Sequence, residues 1–153
     1  MERVIAFNLL HLLVSGYALL RGGPPERIAG ASLLGATLLT RLVQNQLPVR
    51  FVGVEWGVFC VDLTLFAVLL GIALDADRYW PLWMAALHGL GTFGHIVRLL
   101  DVDVLRTAYA FLTAVWSYPI LLLLVCGTAR HQNRRRRRGV DRSWSGRCRT
   151  RKA

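Results

Sequence analysis

The sequence predicts an all-α, polytopic transmembrane helix bundle of about five helices, followed by a disordered basic tail. Three observations predict it. Five apolar stretches, each roughly 17–24 residues long, follow one another in the first 127 residues, and about 20 apolar residues are what a helix needs to cross ~30 Å of hydrocarbon. The chain is 54% hydrophobic with a mean hydropathy of +0.42, above the apolar share of ordinary soluble domains. Charge also separates along the chain: over residues 1–129 eight arginines balance eight acids, and residues 130–153 carry the whole net charge of +10.

Each stretch has its own reason. Residues 4–20, "VIAFNLLHLLVSGYALL", end at the breaker "RGGPPER". Residues 28–47 are the weakest of the five stretches, because Arg41 and "QNQ" cut into the apolar part at its end. A tilted span whose Arg41 snorkels to the interface fits this run, and four spans in place of five is the alternative. Residues 51–74 are the most continuous, and residues 80–100 open on Tyr79, Trp80 and Trp83, amphipathic rings suited to the headgroup level. Residues 105–127 contain Pro119, which inside a helix predicts a kink near Val115, whose carbonyl its ring crowds. In lipid the backbone must satisfy its own hydrogen bonds, so such stretches form helices.

Arginine placement sets an orientation. With five spans, Arg21, Arg27 and Arg78 fall on the side of the tail, and Arg3, Arg41, Arg50, Arg98 and Arg106 on the other. The excess on the tail side predicts an N-terminus outside and a cytoplasmic C-terminus in an inner membrane. "MER" at the start is charge-balanced, with no small-x-small site before "RGGPP", unlike a cleaved signal peptide.

Residues 130–153 have no apolar periodicity and repel themselves, which predicts disorder in water. The run Arg134, Arg135, Arg136, Arg137 and Arg138 suits anionic lipid headgroups at roughly 1 kcal/mol per basic residue. A topology signal with no further task is the equal alternative. Concentration of the positive charge in a tail argues against a nucleic-acid-binding domain, where it would spread over a folded face. Cys60, Cys126 and Cys148 have no metal or redox spacing.

Polar residues inside the apolar stretches carry any chemistry. Glu55 and Asp62 are seven apart on the third stretch, His88 and His95 seven apart on the fourth, and residues seven apart share a helix face. The turn "DADRY" centres near Asp77, so on antiparallel helices Asp62 lies level with Thr92, between the two histidines, and Glu55 lies beside Arg98. An unpaired carboxylate at the membrane centre costs on the order of 3 kcal/mol, so the acidic and basic faces should meet. Interhelical locking explains such pairs. A titratable proton or cation site at Asp62 with His88 or His95 is the functional alternative. His11 with His95 would be the histidine pair for a membrane haem, a third reading; no cofactor is otherwise called for, and His88 and His95, ~10 Å apart along the axis, are too distant to share one metal ion. Small-xxx-small pairs at Gly53/Gly57, Ala85/Gly89 and Ala31/Gly35 predict close helix contact, within the chain or in a homo-oligomer.

The segments "DADRYWPLWMAALHGLGTFGHIVRLL" and "GTARHQNRRRRRGVDRSW" resemble an uncharacterised family of small multi-pass inner-membrane proteins of alphaproteobacteria. The resemblance covers the C-terminal half and implies location only; the family pattern has one late histidine in this helix, which matches His95 better than His88. Phosphate-binding loops, HExxH and GxSxG are absent from the sequence, and the connections are short, which argues against an enzyme. The sequence thus points first to an accessory or assembly partner in the membrane, second to a small proton- or cation-coupled transporter or channel-like oligomer, and third to a haem-bearing electron carrier.

Overall fold

The computed structural model describes residues 2–44, 56–100 and 115–139. Within them the chain is all-α: α1 (Glu2–Arg21), α2 (Pro24–Val43), α3 (Trp56–Asp75), α4 (Trp80–Leu100) and α5 (Ser117–Arg138). The helices pack in chain order into a closed ring, α5 returning to α1, with α2 also touching α5 across the middle. Two of them, at Val4–Arg21 and Trp56–Asp75, are long and apolar enough to cross a membrane.

Local chemistry sets the ends. α1 closes on Gly22, whose N–H donates to the Ala18 carbonyl at 2.8 Å. α2 restarts after only Gly22 and Gly23, with Pro24 and Pro25 in its first turn, where a missing N–H leaves no bond unmade. A side chain on Gly22 would strike the Ala18 carbonyl oxygen at 2.4 Å and Glu26 Cβ at 2.6 Å, so this tight hairpin requires glycine. Between α3 and α4 the Ala76 N–H continues the ladder to the Ile72 carbonyl at 2.8 Å before the chain turns.

Directions follow from contacts. Phe7 meets Tyr118 edge-on at 5.0 Å, and the Gln132 amide donates to the Arg21 carbonyl, so α1 and α5 run the same way. This is the parity expected when five helices alternate.

Glycine thins four successive interfaces. Added Cβ atoms would meet the Ser15 carbonyl at 3.1 Å from Gly30, Val43 at 3.0 Å from Gly57, the Phe66 ring at 2.9 Å from Gly89 and the Trp80 indole at 2.9 Å from Gly127. One half of the bundle is solid, filled by Ala18, Ala29, Leu69, Met84 and Leu124, all fully buried.

Several expectations need correction. Residues 130–138 are not disordered: α5 runs unbroken through the arginine run to Arg138, across the boundary drawn between bundle and tail. Residues 140–153 lie outside the described residues. Pro119 does not kink a helix. Val115 and Trp116 form a turn, and α5 begins at Ser117, so the proline sits in the first turn, where it breaks no bond. The second helix starts at Pro24 and ends at Val43, displaced toward the N-terminus from the predicted 28–47 because the proline pair nucleates it early. Within the chain Ala31 and Gly35 do not form a packing seam: both are exposed, and nothing lies within 4 Å of a Cβ built on Gly35. Gly53 lies outside the described residues; Ala85 and Gly89 do pack, on the α3–α4 side.

Gly127→Val should therefore lower the thermal unfolding midpoint in mild detergent, since overpacking costs about 1–3 kcal/mol. Gly35→Ala, made in open space, should leave the midpoint unchanged or raise it by up to about 1 kcal/mol of helix propensity.

Candidate functional site

Above the solid half, all five helices line a cavity of about 520 Å³. It forms where short side chains face one another: Ala36, Thr37 and Thr40 on α2, Gly91 on α4 and Ser117 on α5. Its ionisable lining is His11 on α1, Arg41 on α2, Asp62 on α3, and His88 and His95 on α4.

Asp62 is the hub. The His95 Nε2–H donates to its Oδ2 at 3.0 Å. His95 is 3% exposed and the Asp62 side chain 24%, so the imidazole is enclosed while the carboxylate keeps a free edge. The His88 Nε2 lies 3.0 Å from the Asp62 backbone carbonyl. A carbonyl can only accept, so this nitrogen carries the proton. Thr92 lies between the two histidines and spends its hydroxyl on the His88 carbonyl at 3.0 Å. Phe59 tilts against His95 at 5.5 Å and walls that ring from α3.

The predicted level of Asp62, opposite Thr92 and between His88 and His95, is what the helices adopt. Glu55 and the side chain of Arg98 lie outside the described residues, and so does their expected pairing.

His11 was expected only as a weak haem candidate. It lines the same cavity, buried, with Nδ1 3.2 Å from Thr37 Oγ1. The Thr37 hydroxyl has one hydrogen, given to the Leu33 carbonyl at 3.0 Å. His11 Nδ1–H therefore donates to Thr37, and Nε2 is left as a lone pair that finds no donor among the described residues. Haem ligation by His11 and His95 would have to take the Nε2 of His95 away from Asp62.

Two buried groups at the other end of the bundle escaped the sequence. Glu26 reads there as a loop charge, yet it is 1% exposed, and neither carboxylate oxygen accepts a hydrogen bond among the described residues. His131 reads as part of the tail, yet it is buried on α5. Both crowd the same point: a Cβ on Gly23 would meet His131 Cε1 at 2.7 Å and Glu26 Oε2 at 3.0 Å. The signal that could have found Glu26 is its place at the third position of a helix opened by two prolines, immediately after a two-glycine hairpin. The side chain is turned inward by a link too short to swing it out.

The five arginines Arg134 to Arg138 occupy the last turns of α5. Arg138 is seven residues past buried His131, so the helix carries it ~10 Å beyond the packed end, while Arg134 is still half-buried.

The chain matches no family model, no curated protein and no solved structure.

An acid with no donor in an apolar interior forfeits about 1–3 kcal/mol. Glu26→Met, similar in volume and needing no partner, should raise the unfolding midpoint in detergent by that order, read by intrinsic fluorescence or calorimetry.

Proposed function

We propose that this chain is a small polytopic membrane protein whose interior cavity binds a proton or small cation at Asp62 and His95. Its polarity is reversed relative to a soluble domain, and that observation carries the proposal. Leu13, Leu20, Leu42 and Leu122 are 71%, 78%, 74% and 65% exposed, while His11, Ser15, Glu26, Thr92, His95, Thr128 and His131 are buried. Water would penalise such a surface; hydrocarbon would not. With five alternating crossings, read from the apolar stretches, the arginine asymmetry places the N-terminus out and the C-terminus in the cytoplasm.

In that orientation the cavity belongs to the outer half of the membrane and the solid layer to the cytoplasmic half. The arginines of α5 then stand at and beyond the cytoplasmic headgroups, where anionic lipid would hold them.

An accessory role, first among the expectations from the sequence, needs a docking face and no interior. A partly open cavity that all five helices line, with Asp62, His88 and His95 in its wall, favours the transporter-like reading over it. A carboxylate bonded to an imidazole at 3.0 Å inside an apolar ring of helices can take up and release a proton with little rearrangement, because the partner group is already in place.

In proteoliposomes loaded with a pH-sensitive dye, the purified full chain should dissipate an imposed pH gradient faster than empty vesicles, and Asp62→Asn should return the rate to the empty-vesicle value. Equal rates for wild type, variant and empty vesicles would end the proposal.

A further inference from the structure

Resting on that reading of Asp62 and His95, we propose that the cavity takes a protonated organic amine with an apolar body, in exchange for one proton from the Asp62–His95 pair.

The size of the space is the first argument. At about 520 Å³ it falls within the ~300–1,000 Å³ of small-molecule sites, far above the ~30 Å³ of one water. Dispersed donors are the second. Among the described residues no three His, Cys, Asp or Glu side chains gather closely enough to hold a metal ion. The groups that can bind are spread around the wall and are bridged only by something polyatomic.

Their chemistry is the third argument. Asp62 presents a partly exposed carboxylate. The His11 Nε2 lone pair finds no donor among the described residues, but that atom is sealed in the packing, so the acceptor open to a ligand is the Asp62 carboxylate. The missing partner is a donor, and an ammonium group carries three hydrogens. The rest of the lining is mainly apolar, with Phe7 and Trp116 among it. These surfaces suit a hydrocarbon or aryl body, and a ring face also attracts a cation.

Charge supplies the exchange. The ionisable groups facing the cavity are His11 from α1, Arg41 from α2, Asp62 from α3, and His88 and His95 from α4; the described lining of α5 contributes none. Arg41 is exposed, so water or headgroups screen it. His88 donates to a backbone carbonyl, and His11 is held by Thr37. That leaves one carboxylate to be neutralised by one cation. When His95 is an imidazolium, it fills that role. An incoming ammonium takes its place against Asp62, and His95 gives up one proton to the solvent. One positive charge enters and one leaves, so the carboxylate stays paired and the apolar interior acquires no net charge.

The test uses the full chain in lipid nanodiscs, with empty nanodiscs as blank, and 2-phenylethylammonium titrated by calorimetry between pH 5 and 8, where the amine stays charged. Binding should strengthen as pH rises, by up to about tenfold per pH unit on the acid side, as one proton released per ligand requires. The neutral isostere 2-phenylethanol should bind at least about tenfold more weakly, the loss expected when a charge-assisted bond is removed. His95→Gln should bind the amine with a flat pH profile, and Asp62→Asn should not bind it. Equal binding of amine and alcohol overturns the proposal, as does a flat profile in the wild type. No amine binding up to 10 mM (about 2.7 kcal/mol of standard affinity) also overturns it, and if proteoliposomes still pass protons the membrane-site reading survives without the amine. Failure of both experiments removes that reading as well.

Discussion

A carboxylate inside an apolar ring of helices has to be answered, and the way Asp62 is answered organises the half of the bundle that holds the cavity. α4 meets it twice. His95 donates to the side chain and His88 to the backbone carbonyl, both at 3.0 Å, and the two histidines are seven residues apart because that spacing returns the helix to the same face. Together they fix both the rotation and the height of α4 against α3. The magnitudes say what this is worth. Leaving the acid alone at depth costs on the order of 3 kcal/mol, whereas interhelical polar contacts in membranes return roughly 0.6 kcal/mol each and at most ~1.7. At the typical value the two contacts together return about 1.2 kcal/mol, less than the acid costs. Stability does not explain an aspartate here, which is the physical reason to look for a task.

The cavity and the solid layer are two outcomes of one sequence of side-chain sizes. In the solid half, glycine at Gly30 and Gly127 draws neighbouring helices together, and Leu69, Met84, Leu124 and Trp80 fill what is left between them. Toward the other end the inward positions become Ala36, Thr37, Thr40, Gly91 and Ser117. The helices remain in their ring, but the side chains no longer reach one another. Collapse would close such a space if nothing opposed it. Here the polar lining opposes it, since Asp62, His11 and Arg41 lose hydration or pairing if leucines slide against them.

Much of this was legible in the residues. Helix number, the α4 bounds at Trp80–Leu100 and the level of Asp62 all followed from counting outward from one tight turn, because helical rise is constant and the α3–α4 hairpin is short. Counting fails where a neighbour's character masks a residue's own position. Glu26 stands among "GGPPER" and His131 beside five arginines, so each reads as part of a solvated segment; the two-residue hairpin and the uninterrupted course of α5 bury them instead. His11 with Thr37 shows the other limit. Each is unremarkable on its own helix, and only the α1–α2 hairpin, folded tightly at Gly22 and Gly23, brings them to 3.2 Å. Pro119 misled for a third reason: the same residue that bends a helix from inside begins one from its first turn, and apolar periodicity does not distinguish the two.

Half-buried Asp62 and buried Glu26 are treated in opposite ways, and the difference bears on how the bundle could move. Asp62 is tied to α4 by two bonds, so α3 and α4 behave as one unit at that level. Glu26 receives no hydrogen bond among the described residues, and it lies on the hairpin side of α2, against Gly22, Gly23 and the ring of His131 from α5. α5 spans both regions: Ser117 and Ile120 line the cavity, and Thr128 and His131 are buried at the far end. Any path from the cavity to the far face must part side chains of the solid layer, where Leu124 of α5 is fully buried. Parting α3 from α4 would break charge-assisted bonds. Shifting α5 against α2 at Glu26 breaks no hydrogen bond to that carboxylate, and it exposes the acid to the water or lipid headgroups that would solvate it. Such a shift would still break the bond from Gln132 of α5 to the Arg21 carbonyl of α1, so α5 is tied to α1 at this end as α3 is tied to α4 at the other.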